Sequence, residues 1–225
     1  MPTPAAQAHA CLQAVADASA APAMQAYMKH HFAFFGIATP KRRAAIRELG
    51  VRWRERTALL QACAALWDYP QRECHYVALD WLWQYRKLLL QEDIVWLRQL
   101  ARRHVWWDSI DGFAKIIGYL VLHAPDQPAA QAAMQDALQD ADFWQRRIAM
   151  LHQLPCKEKT DQARLFAFAL ALAHEKEFFI RKAIGWALRE YARVAPQAVA
   201  AFLAQHRERF SGLTLREAAK HLRDE

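Results

Sequence analysis

Glycine occurs only 6 times in 225 residues, and runs of β-branched side chains are scarce. That leaves little material for an extensive sheet. The four cysteines, Cys11, Cys63, Cys74 and Cys156, stand far apart with no Cys-x-x-Cys pair, so neither a zinc site nor a disulfide framework is expected and the thiols read as buried and reduced. No apolar run approaches the roughly 18 residues that a membrane span requires. The stretch from Met1 to Ala23 carries His9, Gln13 and Asp17 and lacks a basic start, which is not the pattern of a secretory signal. The expectation is a soluble, cytoplasmic protein. GxxxxGK[ST], GxGxxG and GxSxG are missing too, and with them the loops of nucleotide hydrolysis, dinucleotide redox chemistry and α/β-hydrolase catalysis. His174-Glu175 does not continue into HExxH, and the ten histidines do not pair with carboxylates at ligand spacing. No metal and no cofactor are expected.

What is present is helix-forming. Ala, Leu, Arg and Gln dominate a chain that is 54% hydrophobic, the composition of an all-α protein. Helical patterns run over Ala5 to Ala18, Ala23 to Phe34, onward from Thr39-Pro40, Glu55 to Trp67, Gln71 to Arg86 and Glu92 to His104. They continue over Asp108 to Ala124, Ala129 to Gln139, Asp142 to Gln153, Thr160 to His174, Glu177 to Arg193, Pro196 to His206 and Thr214 to Arg223. Thr39 reads as a cap with Pro40 in the first turn. Helices with short connectors, spaced at roughly 35 to 40 residues per pair, match stacked helical-pair repeats in a curved solenoid. A plain bundle is the other arrangement with this pattern. No internal boundary is evident, so residues 1–225 read as one domain. Lys plus Arg number 30 against 23 Asp plus Glu, a net charge of +7, which favours a polyanionic partner such as nucleic acid.

Three segments place chemistry where packing alone would not. In Trp106-Trp107-Asp108-Ser109-Ile110-Asp111, Trp107 and Asp111 are four apart and share a helix face with Lys115 and Gly118. A mid-helix glycine costs about 1 kcal/mol relative to Ala, so Gly118 marks a close approach. Asp108 can cap this helix while Asp111 pairs with Lys115, or Asp111 can be spared for chemistry. Of the two adjacent indoles, only one can face the core. In Trp144-Gln145-Arg146-Arg147, Arg147 falls on the apolar face and Arg146 at its edge. A cation there needs a partner, either a structural ion pair, Asp111 included, or a phosphate that uses its planar fork. In Glu177 to Tyr191, Lys182, Trp186, Arg189 and then Arg193 form a stripe apart from the core positions. The stripe suits a surface that tracks a nucleic-acid backbone, or it is a solvated charged face with Trp186 as packing. Lys41, Arg42, Arg43 and Arg47 supply a second basic cluster, again a phosphate surface or a solvated helix face.

Together with Phe34-Phe35-Gly36-Ile37-Ala38-Thr39-Pro40-Lys41-Arg42-Arg43, these phrases occur in an order that resembles bacterial DNA glycosylases of the AlkD family; Ser211 to Lys220 fits that family's C-terminal helix. The resemblance implies HEAT-like repeats with a concave basic DNA-binding face, acting on duplex DNA as a monomer. It implies hydrolytic excision of cationic N3- or N7-alkylated purines, such as 3-methyladenine and 7-methylguanine, without base flipping. By position, the catalytic carboxylate falls on Asp111 and the two indoles beside the sugar on Trp107 and Trp186. The phosphate-directed arginine falls on Arg147 or its neighbour Arg146, and an aromatic position near the cleft on Tyr27. Two other functions share the same features: a non-catalytic helical-repeat DNA or RNA binder, and a helical scaffold for an acidic protein. The second is favoured if other helices cover the Lys182–Arg193 stripe.

Overall fold

The computed structural model describes residues 2–222, which contain helices and a single isolated bridge between Ala33 and Gln71. The chain divides into two compact units, Met1–Leu89 and Leu90–Glu225, where the sequence shows no boundary.

The first unit holds α1 (Pro4–Ala14), α2 (Ala21–Tyr27), α3 (Thr39–Glu48), α4 (Arg56–Trp67) and α5 (Arg72–Gln84). Proline lies in the first turn of α1, α2 and α3, where its fixed φ suits a helix start and its missing N–H is not needed. Thr3 caps α1 by accepting from the Ala6 amide at 3.2 Å. Helix α1 packs on α3, α4 and α5, and α4 packs along α5, around a core that includes Leu12, Leu59, Leu66, Trp67 and Leu82. The loop that enters α3 is fixed by Glu73, a buried carboxylate that accepts from the amides of Phe35 (3.0 Å), Gly36 (2.9 Å) and Ile37 (3.0 Å).

The second unit holds α6 (Asp93–Ala101), α7 (Trp107–Leu122), α8 (Gln127–Leu138), α9 (Phe143–Leu151), α10 (Gln162–Ala171), α11 (Phe178–Ala192), α12 (Pro196–Gln205) and α13 (Gly212–Ala218). Side chains at their starts accept the backbone amides that a helix cannot satisfy internally. Asp126 caps α8, Asp142 caps α9, Asp161 caps α10, Glu177 caps α11 and Ser211 caps α13. Each cap is followed by apolar positions that face the core. Helices pair as α6 with α7, α8 with α9 and α10 with α11, and the second helix of each pair packs on the next: α7 on α9, α9 on α11, α11 on α13. The unit is therefore a stack of helical pairs with one continuous layer of second helices. Burial of Ile110, Phe113, Ile117, Ile148, Leu151, Ile184 and Leu188 holds that layer together.

Two contacts in this layer need a glycine. A Cβ on Gly118 of α7 would lie 1.8 Å from the His152 carbonyl oxygen at the end of α9, and one on Gly185 of α11 would lie 2.5 Å from Cβ of Glu217. The close approach expected at Gly118 is thus the end of the neighbouring second helix.

Several helices are shorter than the patterns predict. α2 stops at Tyr27 because Lys29 and His30 adopt left-handed backbone, φ 54° and 58°, so the His30-His31 pair is not helical. α6 stops at Ala101 ahead of a left-handed His104, φ 48°. α10 begins at Gln162 and ends at Ala171, short of His174. The expected end of the last helix at Arg223 lies outside the described residues. No helix is long and apolar enough to cross a membrane among the described residues.

Candidate active site

The extended backbone of Trp106 (φ −162°, ψ 163°) starts α7 at Trp107. Asp108 sits in the first turn rather than at the cap, where its charge still favours the N-terminal end of the helix dipole. The two adjacent indoles part company. Trp106 packs on the rings of Trp144 of α9 (5.8 Å) and Phe179 of α11 (5.4 Å), tying three second helices together. Trp107 is half-buried and lies one helical turn before Asp111.

Asp111 is the centre of the arrangement. Its two oxygens accept from Arg147 of α9, Oδ1 from Nε at 2.9 Å and Oδ2 from Nη2 at 3.0 Å. The third guanidinium nitrogen, Nη1, donates to the Phe179 carbonyl on α11 at 2.5 Å. The Arg147 side chain is 5% exposed and that of Asp111 18%, so the carboxylate retains a window on solvent that its partner lacks. Burial pushes the Asp111 carboxyl above its ordinary pKa, the Arg147 guanidinium pulls it down, and Asp108 adds a smaller upward push. Both oxygens act as acceptors, the geometry of an ionised carboxylate held by a two-pronged guanidinium. Of the two partners open to a cation on this face, Arg147 takes the carboxylate, and its fork points into the protein.

Arg146 is also engaged. Its Nη1 donates to the carbonyls of Asp140 (2.6 Å) and Ala141 (2.9 Å), and Nε lies 2.7 Å from Glu175 Oε1. A further network stands behind α9. Gln145 is fully buried, accepts from Arg98 Nε at 3.1 Å and donates to the Arg98 carbonyl at 3.2 Å, while Arg98 and Arg102 both reach Asp140.

On α11, Trp186 is half-buried and lies seven residues beyond Phe179, two turns along one face. The cations beside it have a partner that sequence reasoning missed. Glu217 of α13, 6% exposed, accepts from Lys182, from Arg189 and, at 3.0 Å to each oxygen, from Lys220. Burial raises its pKa, but hydrogen bonds from Lys182 and Lys220 and the charges of Lys182 and Arg189 win and bring it down to about 2. Arg193 is held by Glu190 at 3.1 Å and His221 at 2.6 Å. The stripe is therefore partly covered by α13 rather than wholly open. The sequence did carry one sign of this: Glu217 precedes Lys220 by three residues on the side of the helix that buries Thr214 and Ala218.

The first unit presents the other expected residues. Tyr27, at the end of α2, is 68% exposed and borders a groove of about 350 Å³ with Met24, Met28, Phe34 and Tyr76. Lys41 is exposed. Arg42 is buried, over the Tyr76 ring at 4.8 Å and on Asp80 at 3.0 Å. Arg43 forks onto the same Asp80 at 2.8 and 3.1 Å. Burial opposes ionisation of Asp80, yet the two arginines hold its pKa below the ordinary value. All four cysteines carry free thiols, and no group of three or more His, Cys, Asp or Glu among the described residues could hold a metal.

The molecule thus belongs to the class of all-helical proteins built from stacked pairs, with a half-buried carboxylate clamped between second helices. Its residues 8–222 match the family model described as "DNA alkylation repair enzyme", and the chain belongs to that family. It is also similar to a solved structure of a "Predicted DNA alkylation repair enzyme" from Enterococcus faecalis. The two share 32% sequence identity and a TM-score of 0.80, over 93% of this chain and 98% of the other. No curated protein sequence matches it.

Proposed function

We propose that this protein is a DNA N-glycosylase that removes cationic N3- and N7-alkylated purines from duplex DNA. The observation that carries the reading is Asp111: a carboxylate with both oxygens oriented by a buried arginine, partly open to solvent, and one turn from the half-buried Trp107.

The chemistry fits such a group. An alkylated purine carries positive charge on its rings. When the C1′–N bond breaks, its electron pair passes to the base, which leaves neutral, and the positive charge moves to the sugar. A fixed carboxylate stabilises that charge as it develops, in a setting of low dielectric where the interaction is strong. The indole faces of Trp107 and Trp186 favour the same cation through their quadrupoles. Water then adds to C1′, and its proton leaves to Asp111 acting as general base. Selectivity comes from the lability of the cationic adduct, so the base need not be extruded into a pocket as most glycosylases require. In this scheme Arg147 orients Asp111. Contact with the DNA backbone falls to Lys182, Arg189, Tyr27, Lys41, Arg42 and Arg43, the first two after release from Glu217 and the last two in exchange with Asp80. No cofactor enters the scheme, and one copy of the chain supplies every residue it uses.

Purified protein is expected to release 7-methylguanine or 3-methyladenine from methylated duplex DNA faster than spontaneous loss. Asp111→Asn is expected to lose most of that activity while keeping most duplex affinity. Duplex binding with no base release would make the protein a non-catalytic binder instead, and equal loss of binding and release would assign Asp111 to the scaffold.

A further inference from the structure

The least explained charge in the second unit is Glu217. It lies at the contact between α11 and α13, where an apolar side chain would pack without cost, and burying a carboxylate is unfavourable unless it is fully partnered. The fold makes room for it at Gly185, whose missing Cβ would stand 2.5 Å from Glu217 Cβ, 3.0 Å from its Cγ and 2.9 Å from the Thr214 carbonyl oxygen. Three cations from two helices then converge on its two oxygens: Lys182 and Arg189 from α11, and Lys220 from the turn after α13. Lys182 and Lys220 keep 35% and 54% of their side chains exposed, so their ammonium groups can turn outward. Trp186 lies between Lys182 and Arg189 along the helix.

Two oxygens accepting from several cations is also how a phosphodiester presents its non-bridging oxygens. Glu217 offsets part of the charge of these three cations, and Glu190 lies 3.6 Å from Arg189 as well, so the spot is less positive than the stripe would be alone. We infer that Glu217 acts as an internal stand-in for a DNA phosphate. It occupies Lys182, Arg189 and Lys220 when no duplex is bound, and so limits the affinity of the Trp186 face for undamaged DNA. Glu217 is a specificity-setting residue that acts through these cations. The inference rests on the reading of Lys182 and Arg189 as backbone contacts.

The test compares wild type with Glu217→Gln, and with Glu217→Met in case the amide variant fails to fold, on an undamaged duplex over a salt series. Releasing the cations should raise affinity severalfold at low salt. It should also steepen the slope of log K against log salt by about 0.9, the increment for one more neutralised phosphate. A folded variant with unchanged or weaker binding and an unchanged slope would overturn the inference. Wild-type protein provides an independent measurement: with 13Cδ-labelled glutamate, the Glu217 carboxyl signal should move as duplex is added, and a signal that stays put at saturation would also overturn it. Lys182→Ala and Arg189→Ala separate the two levels. If they leave affinity and salt slope untouched, the DNA-contact reading has failed; if they weaken binding while Glu217→Gln does not strengthen it, only the role of Glu217 has.

Discussion

Asp111 and Arg147 are a pair whose members differ in exposure, and the proposed function gives them different duties. The carboxylate is the partly exposed member and the guanidinium the buried one, so removing the arginine should act through the acid. Burial already raises the Asp111 pKa and Arg147 is the main force against it. In Arg147→Gln the carboxyl should therefore titrate higher, and the acid limb of the pH–rate profile for base release should move to higher pH. Breaking a buried pair from one side also costs about 3–5 kcal/mol, so a fall in denaturation midpoint is expected. A merely structural role for the arginine would lower stability and leave the acid limb where it was. This pair was partly legible beforehand: a cation on an apolar helix face demands a partner, and Asp111 was one of the few available. For Glu217 only the local spacing to Lys220 was legible; its contacts with Arg189 and Lys182, 28 and 35 residues away, follow from no local spacing rule.

At the scale of elements, the site depends on how closely α7 and α9 approach. Gly118→Ala would place a methyl 1.8 Å from the His152 carbonyl oxygen, and backbone on both sides leaves no flexible side chain to yield. The helices must separate, at an overpacking cost of about 1–3 kcal/mol or more, and the Asp111–Arg147 bonds stretch with them. The expected result is lower thermal stability together with reduced base release at permissive temperature; a variant of wild-type stability and activity would show that the layer is more compliant than its packing implies. Helix identity was readable from composition and period, and the capping aspartates Asp142 and Asp161 stood at expected helix starts, whereas Asp126 caps α8 ahead of the start expected at Ala129. The ends were less so. Left-handed backbone at Lys29, His30 and His104 shortens α2 and α6, and neither lysine nor histidine announces that conformation as glycine would. The paired layering within the second unit also follows from tertiary contacts that spacing alone cannot distinguish from a bundle.

For the whole molecule, two buried titratable groups in the second unit contribute to the response to acid in separate pH ranges. His152 at the end of α9 is 1% exposed, with Nδ1 2.6 Å from the Ala149 carbonyl. Burial depresses its pKa from 6.5 to about 4, against the opposing pull of that carbonyl. The unfolded chain therefore binds a proton that the folded one refuses between those values, so stability falls as pH drops from about 6.5 to 4, by roughly 3 kcal/mol. Glu217, with its folded pKa lowered to about 2, contributes stability that is complete above its unfolded value and is lost as pH falls further toward 2. Denaturation midpoints of the full chain across this range should show the first decline, and His152→Gln should flatten it between pH 6.5 and 4. An identical slope in that variant would place the proton uptake elsewhere.

The proposed site takes its parts from successive pairs in the layer of second helices: Asp111 from α7, Arg147 from α9, Trp186 from α11 and Glu217, the partner of Lys182, from α13. Many stacked-helix proteins vary in the number of modules, since each module meets only its neighbours. Here, duplicating or excising a module between α7 and α13 would throw the members of the constellation out of register. The proposed site therefore predicts that relatives sharing it keep the modules from α7 to α13 at fixed number and differ in length outside them.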